Sequence, residues 1–238
     1  MAENSASKPH KFYQTAVSEP FEAGFAVLLD GRAVRTPSRQ RLVLPTPALG
    51  ALIAAEWEGQ VDIVDMAAMP ATRLAFTAAD RIGSHRAETV AEIVNFAASD
   101  LLCYRAEAPS NLVERQTRRW GVMLDWARED LGLSFVLAKG IIHKPQPETT
   151  LAEVGALAGE ADDYALAGVA FAASLFGSAV LALALWRDQL DGDAAFELSR
   201  LDEAFQEEQW GVDDEAAART AHRRAEAEML DRWFAALR

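Results

Sequence analysis

The sequence contains 23 consecutive residues without a charged side chain, residues 164–186, and eight of them are alanine. As one continuous α-helix this run would extend about 34 Å, enough to cross the hydrocarbon core of a membrane. It lies between Asp162-Asp163 and Arg187-Asp188, so neither flank has the basic loop that orients a membrane helix. The run also contains small residues that let helices approach closely, namely Gly168, Ser174, Gly177 and Ser178. We therefore predict that it forms the central buried helix of a bundle and that the protein has no membrane anchor.

Short runs rich in Val, Leu and Phe near the N-terminus predict a small antiparallel sheet. Residues 25–29 and 32–36 flank Asp30-Gly31, a pair that favours a type I′ hairpin turn. Residues 41–44 alternate polar and apolar side chains again, and they stop at Pro45, which cannot donate to a strand ladder. This pattern predicts a hairpin followed by a third strand.

Helical signals dominate the rest of the chain. Thr46 is a capping residue and Pro47 suits the first helical position, which predicts a helix that continues to about Gly59 and packs on the sheet. From Thr77 onwards the apolar spacing is helical almost to the end. The predicted segments are 77–98, one that opens at Pro109-Ser110, 151–186 with a break near Gly159, 193–209 and 213–237.

This order of elements predicts an α+β fold. An N-terminal antiparallel β-rich domain, residues 1–75, is followed by a larger all-helical C-terminal domain, residues 76–238. Residues 133–142, with the sequence LSFVLAKGII, are β-like. One open alternative is that this stretch returns to the N-terminal sheet, which would make the domain boundary discontinuous.

The charge is strongly negative and unevenly distributed. With 23 basic and 36 acidic residues the net charge is −13, and such a field repels a phosphate backbone, so we expect no nucleic-acid partner. Residues 151–238 hold eighteen acids and seven arginines. Upstream lies a basic cluster that we expect to be solvated or paired with the acidic helices, with Trp120 pointing inward. The cluster consists of Arg105, Arg115, Arg118 and Arg119.

Motifs for catalysis or cofactor binding are missing from the sequence. It lacks the Gly-x-Ser-x-Gly, Gly-x-x-x-x-Gly-Lys and Gly-x-Gly-x-x-Gly patterns. The histidines have no metal-binding spacing; they are His10, His85, His143 and His222. Cys103 follows two leucines, which predicts a buried protonated thiol, and a single cysteine fits a reducing compartment. We predict no catalytic residue, no metal and no cofactor.

Residues 201–215 contain seven acids and no basic residue, with Trp210-Gly211 among them. The simplest interpretation is a solvated helical face, because Leu198, Leu201 and Phe205 form an apolar stripe on the other side. A second interpretation is a protein contact, in which an aromatic ring beside charges combines contact area with orientation. A third is a carboxylate-based acid/base hydrolase, whose paired acids cannot be recognised from sequence spacing.

Nine segments, taken in order, resemble one protein family. They are KFY (11–13), LDGRAVRTP (29–37), LPT (44–46), AAEW (54–57), MPATRLAFTAADR (69–81), DLLCYRAEAP (100–109), RQTRRW (115–120), GSAVLALAL (177–185) and LDEAFQEEQWGVDDEA (201–216). Together they make the chain similar, over residues 11–235, to the assembly chaperones for the alpha subunit of the F-type ATP synthase, a mitochondrial and alphaproteobacterial family.

The resemblance implies a non-enzymatic chaperone with a β-rich domain followed by a helical one. Such a protein binds the unassembled alpha subunit, prevents its aggregation and promotes assembly of the alpha/beta hexamer. The family's functional carboxylate corresponds to Asp202 or Glu203, and this choice stays open. The implied partner-binding residues are Asp202, Glu203, Gln206, Glu207, Trp210, Gly211, Asp214 and Glu215. One departure is Val212, where the family often has another acid.

We expect the free chaperone to be monomeric. Residues 1–10 have neither the apolar run of a secretory signal nor the arginines of a mitochondrial presequence. This favours a bacterial cytoplasm, whereas a processed eukaryotic chain would work in the mitochondrial matrix.

Overall fold

The computed structural model describes residues 9–140 and 142–238 and has the predicted α+β fold, a three-stranded antiparallel sheet followed by a mostly helical region. The strands are β1 (Ala16–Phe21), β2 (Gly24–Leu29), β3 (Arg32–Ala33), β4 (Tyr104–Arg105) and β5 (Ala138–Lys139). The helices are α1 (Pro47–Glu58), α2 (Pro70–Asp80), α3 (Arg86–Ala98), α4 (Ser110–Leu131), α5 (Glu148–Gly159), α6 (Asp163–Phe176), α7 (Ala179–Trp186), α8 (Gly192–Ser199), α9 (Leu201–Trp210) and α10 (Asp214–Leu237). Residues 1–8, on which the prediction about targeting largely rests, lie outside the described residues.

The described chain packs as two compact units. The first contains the described residues up to Gly83 together with Ala235–Arg238, and the second contains Ser84–Phe234. The boundary expected after residue 75 falls inside α2, whereas the units divide after that helix has ended. The first unit therefore has two helices, α1 and α2, beside its sheet.

The sheet of the first unit has the strand order β1-β2-β3, and all its pairs are antiparallel. Asp30 and Gly31 join β2 to β3 with φ angles of 46° and 79°, the two positive values that a type I′ turn requires. The predicted hairpin is thus confirmed. Residues 41–44 are not a regular strand, but they contribute isolated bridges such as the one between Phe25 and Leu44.

Helix α1 begins where the sequence predicted and covers the sheet. The Thr46 side chain accepts a hydrogen bond from the backbone N–H of Leu49 at 3.1 Å, and Pro47 is the first helical residue. The helix buries Ile53 and Trp57 as well as Leu49, and it packs on β1 and β2. Local capping signals were sufficient to locate this element.

The uncharged run of the sequence forms two helices rather than the single helix that we expected. Gly177, with φ of 65°, ends α6, and the Ser178 side chain caps α7 by accepting a hydrogen bond from the N–H of Leu181 at 3.0 Å. Every residue from 179 to 185 is buried, and nine of the fourteen residues of α6 are buried as well. The predicted burial is thus confirmed for most of the run, although Ser174 is exposed. Across the described residues, no helix is both long enough and apolar enough to cross a membrane.

A buried carboxylate at the start of α7 holds this break in place. Asp100 is fully buried and accepts hydrogen bonds from the Ser178 hydroxyl at 2.8 Å, the Val180 N–H at 3.0 Å and the Leu102 N–H at 3.0 Å. Burial raises the pKa of Asp100 from 3.8 to about 6, although these hydrogen bonds act in the opposite direction. The carboxyl thus joins the chain before β4 to the first turn of α7.

The β-like stretch at residues 133–142 remains within the second unit. Its described part contains β5, which pairs in parallel with β4, and the Gly140 N–H donates to the Arg105 carbonyl at 2.9 Å. The Gln146 side chain also bonds to both backbone groups of Val136, at 2.8 and 2.9 Å. The alternative in which this stretch returns to the N-terminal sheet is therefore wrong for the described residues, because nearer partners satisfy its backbone.

We predict that Asp100→Asn lowers the free energy of unfolding by about 1–3 kcal/mol, because an amide cannot accept all three hydrogen bonds and a buried N–H loses its partner. Urea denaturation of the wild type and the variant measures this difference. An unchanged midpoint would contradict the structural role of the carboxylate.

The same pair of proteins tests the raised pKa of Asp100. A carboxyl whose pKa is raised in the fold contributes stability below its unfolded value of 3.8, and this contribution is lost as the pH rises through about 6. Asparagine does not titrate, so the stability difference between the two proteins should shrink by on the order of 1 kcal/mol from about pH 5 to about pH 7. A difference that grows with pH would mean that the fold prefers the ionised carboxylate.

Candidate functional site

Residues 201–215, which we call the acidic segment, form α9, a short turn and the first residues of α10. Leu201 and Phe205 are the buried residues of α9, and Leu198, near the end of α8, is also buried. The apolar stripe predicted from the sequence is thus confirmed, and the acids lie beside it or face solvent. Gly211, with φ of 83°, lies directly after the last residue of α9.

An exposed aromatic side chain marks the end of α9. Trp210 is 80% exposed and Val212, two residues later, is 53% exposed. Acidic residues adjoin this pair, with Glu208 before it and Asp213 after it. An indole ring left in water among charges is a typical anchor for a protein contact.

Asp202 faces inward and belongs to a hydrogen-bond network with α4. The Gln116 Nε2 donates to the Asp202 Oδ1 at 2.8 Å, and the Gln116 Oε1 accepts from the Ala106 N–H at 2.8 Å. The Arg105 guanidinium donates to the Gln116 carbonyl and lies over the Trp120 ring, 5.3 Å from its centroid. Gln116 and Trp120 are fully buried.

Partial burial dominates the electrostatics of Asp202. It raises the pKa of the carboxyl, while the Gln116 hydrogen bond and the Arg105 charge lower it by smaller amounts. Burial also lowers the pKa of Arg105, against the opposing effect of Asp202. Asp202 therefore has a structural task in addition to any role in binding.

The other predicted site residues differ in whether their side chains are ion-paired and in how exposed they are. Glu207 is ion-paired with the partly buried Arg200, and Glu215 is paired with Arg219 at 2.6 Å. The side chain of Glu203 is exposed and makes no hydrogen bond or ion pair with any described residue, and the same holds for the side chain of Asp214. The exposed members of the predicted set are Glu203, Gln206, Trp210, Gly211, Asp214 and Glu215.

Three arginines of the basic cluster lie on α4, and two of them pair with acidic helices while Arg118 is exposed, as the sequence predicted. The prediction is wrong for Arg105, which is buried on β4 and binds the Gln116 carbonyl rather than an acid. Two nitrogens of Arg115 contact the two carboxylate oxygens of Glu208 at 2.7 and 2.8 Å, and this contact lowers the pKa of Glu208. Arg119 lies 3.5 Å from Glu197. Trp120 points inward and donates its indole N–H to the Leu198 carbonyl at 2.9 Å.

Sequence reasoning missed two arginines that join this cluster. Arg200 and Arg224 line the same cleft as Arg115, and both guanidinium groups lie over the Phe196 ring, at 5.7 and 5.1 Å from its centroid. Arg200 could have been noticed beside the acidic segment. Arg224 lies in a helix with many mixed charges, and nothing in its sequence context distinguishes it.

The described residues give the hydrolase alternative no support. The pKa values of Asp100 and Asp202 are raised by burial rather than by a neighbouring carboxylate, so neither belongs to a coupled acid pair. Cys103 is buried, and burial raises its pKa to about 12, which keeps the thiol protonated as predicted. In the part of the chain that the structure describes, no group of three or more His, Cys, Asp or Glu side chains could hold a metal ion.

Comparison with known proteins gives consistent results. The family model described as "ATP12 chaperone protein" matches residues 10–128. Atp12 from Paracoccus denitrificans is 37% identical, with a TM-score of 0.89 over 96% of this chain and 98% of that one. An aspartate-to-lysine mutant of Atp12p from P. denitrificans is 36% identical, with a TM-score of 0.90 over 98% of this chain and 100% of that one. The Atu1473 protein from Agrobacterium tumefaciens is 40% identical, with a TM-score of 0.92 over 97% of this chain and 87% of that one.

These matches extend through the acidic segment and both units, and they confirm the family that the nine sequence segments indicated. The chain belongs to the ATP12 chaperone family.

Proposed function

We propose that the protein is an ATP synthase assembly chaperone that binds the unassembled alpha subunit of the catalytic head. It prevents aggregation of that subunit and promotes assembly of the alpha/beta hexamer. Membership of the ATP12 chaperone family supports this function. The observation that carries it is Trp210, a tryptophan 80% exposed within the acidic segment.

The surroundings of Trp210 suit a reversible contact with an apolar surface. A subunit outside its complex exposes apolar area that drives aggregation until a partner covers it. Trp210 and Val212 offer apolar area to such a surface, and tryptophan is among the residues that most often dominate binding energy. The exposed area is small, so the client can still be released.

Acidic side chains around Trp210 add orientation and speed. Glu203 and Asp214 are exposed and have no ion-pair partner among the described residues, so their charges are free to attract a basic patch on the client. Charges at the rim of an interface act mainly on the association rate and on the choice of partner. Release needs no chemical step, because a beta subunit that binds alpha more tightly displaces the chaperone.

The core of the second unit presents this surface in a fixed orientation. The buried side chains of Leu201 and Phe205 hold α9 against the core, and the hydrogen bond from Gln116 to Asp202 fixes the first turn of α9. A surface that is ordered before binding loses less conformational entropy when the client arrives. We therefore assign client binding to the exposed acids and Trp210, and support of α9 to Asp202.

Glu203→Lys should weaken the affinity for isolated alpha subunit by roughly 5- to 30-fold, because a free carboxylate becomes a like charge to the client's basic patch. The affinity is measured by titration of alpha with labelled chaperone. Glu92→Lys on α3 is the matched control, since Glu92 is also exposed and has no ion-pair partner among the described residues. Equal weakening by both variants would indicate a net-charge effect rather than a site.

Trp210→Ala should abolish most protection of alpha against aggregation, because a central aromatic anchor typically contributes about 2 kcal/mol or more. Light scattering by purified alpha, with and without excess chaperone, gives the readout. The thermal midpoint of the chaperone should stay unchanged, since the side chain is exposed. Full protection by the variant would contradict the assignment of Trp210.

Two substitutions of Asp202 separate its structural role from a role in binding. Asp202→Ala leaves the buried Gln116 Nε2 without its acceptor and should cost about 1–3 kcal/mol of stability. Asp202→Asn keeps an oxygen acceptor and should retain most stability and most affinity for alpha. A stable Asp202→Asn variant that no longer captures alpha would make Asp202, rather than Glu203, the functional carboxylate.

Two further parts of the proposal concern the free protein. We infer that it is monomeric before it meets its client and that it acts in the cytoplasm. Sedimentation of the purified chain tests the first, and fractionation of cells that produce a tagged chain tests the second.

A further inference from the structure

A basic cleft lies beside the acidic segment, in the second unit. It has a volume of about 340 Å³, and five arginines from three parts of the chain line it. Arg115, Arg118 and Arg119 come from α4, Arg200 from the junction of α8 and α9, and Arg224 from α10. We call it the arginine cleft. Two of its arginines, Arg200 and Arg224, lie within residues 151–238, which carry a large excess of acids.

Three of the five arginines of the cleft lie over buried phenylalanine rings. Phe196 is fully buried, and the guanidinium groups of Arg200 and Arg224 both lie over its ring. Arg115 lies in the same way over the buried Phe205, 5.2 Å from the ring centroid. Cation–π contacts of this kind fix the guanidinium planes while leaving their N–H groups free to bind anions.

The pairs within the cleft show which ligand chemistry fits it. Four of the guanidinium groups already bind carboxylates: Arg115 with Glu208, Arg119 with Glu197, Arg200 with Glu207 and Arg224 with Asp193. The side chain of Arg118 has no hydrogen bond or ion pair with any described residue. The Arg119 contact, at 3.5 Å, is the longest of the cleft's ion pairs, and both of its side chains are about half exposed. One guanidinium is thus free and a second is weakly engaged.

We propose that the arginine cleft binds an acidic segment of the client, with Arg118 as its main contact and Arg119 as the second. Continuity with the acidic segment supports a protein ligand, because Leu201, Ala204 and Glu208 belong to both surfaces. A client that touches α9 therefore lies beside the cleft.

Adjacent acidic and basic patches would fix the register of the complex. A client shifted along α9 would bring its charges next to charges of the same sign on the chaperone. Naming the ligand as part of the client rests on the proposed function, whereas carboxylate binding by the cleft does not.

The first experiment uses a fluorescein-labelled hexaglutamate peptide and the full chain, with anisotropy as the readout. At about 0.15 M salt the Debye length is roughly 8 Å, so distant acids of the protein are largely screened. Wild-type protein should bind the peptide, and Arg118→Glu should weaken binding by about tenfold or more because it reverses the free charge. Arg232→Glu is the matched control, since Arg232 is exposed, lies outside the cleft and has no ion pair among the described residues. It should bind like the wild type.

Three outcomes would overturn the inference. They are no binding by the wild type, equal loss in Arg118→Glu and Arg232→Glu, and displacement of the peptide by inorganic phosphate at lower concentration than by unlabelled hexaglutamate. The last would assign the cleft to phosphate. Circular dichroism checks that Arg118→Glu is folded, and Arg118→Gln, which keeps polarity without reversing charge, should give an intermediate affinity.

A second experiment, with isolated alpha subunit, separates this inference from the proposed function. If the wild type captures alpha and Arg118→Glu captures it equally well, the function stands and the cleft is not part of the interface. If the peptide binds at Arg118 but alpha is not captured by the wild type, the carboxylate site stands and the proposed client is wrong. The expected result is loss of both peptide binding and alpha capture in Arg118→Glu, with neither lost in Arg232→Glu.

Discussion

The sharp turn at Gly177 and Ser178 is the constraint on which the second unit depends. It divides the most apolar part of the chain into α6 and α7, which pack against each other. Glycine accepts the left-handed backbone at the end of α6, and the serine hydroxyl caps α7. Asp100 then binds the new helix N-terminus, where an acceptor is needed for otherwise unpaired N–H groups. Without this break the run would form one long apolar helix.

The core formed around α7 reaches the proposed client-binding surface through α4. That helix packs on α7, and its Trp120 bonds to Leu198 near the end of α8 while its Gln116 bonds to Asp202 in the first turn of α9. The residues that hold the surface are therefore distinct from those that are free to use it. Asp202 is bound by Gln116, whereas its neighbour Glu203 faces solvent. This difference gives a physical basis for assigning separate roles to two adjacent acids.

The net charge of this protein does not indicate which charges a partner meets at a particular part of its surface. The chain carries −13 overall, yet five arginines converge on one cleft beside its most acidic segment. Within a Debye length a partner experiences the local arrangement of charges more than the total. Two adjacent patches of opposite sign can specify orientation, which a uniformly acidic surface cannot do. A chaperone that must cover one particular face of its client benefits from that specificity.

Several elements could be predicted from the sequence because their causes are local. The Asp30-Gly31 turn, the Thr46-Pro47 helix start and the stripe of Leu201 and Phe205 each depend on residues a few positions apart. The order of short segments was also sufficient to indicate the family. These features determined the fold class, the start of α1 and the location of the acidic segment.

Other features were decided only by the tertiary structure. The division of the apolar run depends on Asp100, which is 78 residues from its partner Ser178. The partner of β5 and the hydrogen bond that ties down Asp202, 86 residues from Gln116, depend on the same kind of distant contact. The arginine cleft likewise gathers side chains from α4, the α8–α9 junction and α10. Sequence spacing reports which face of an element a residue occupies, but burial and charge pairing depend on what packs against that face.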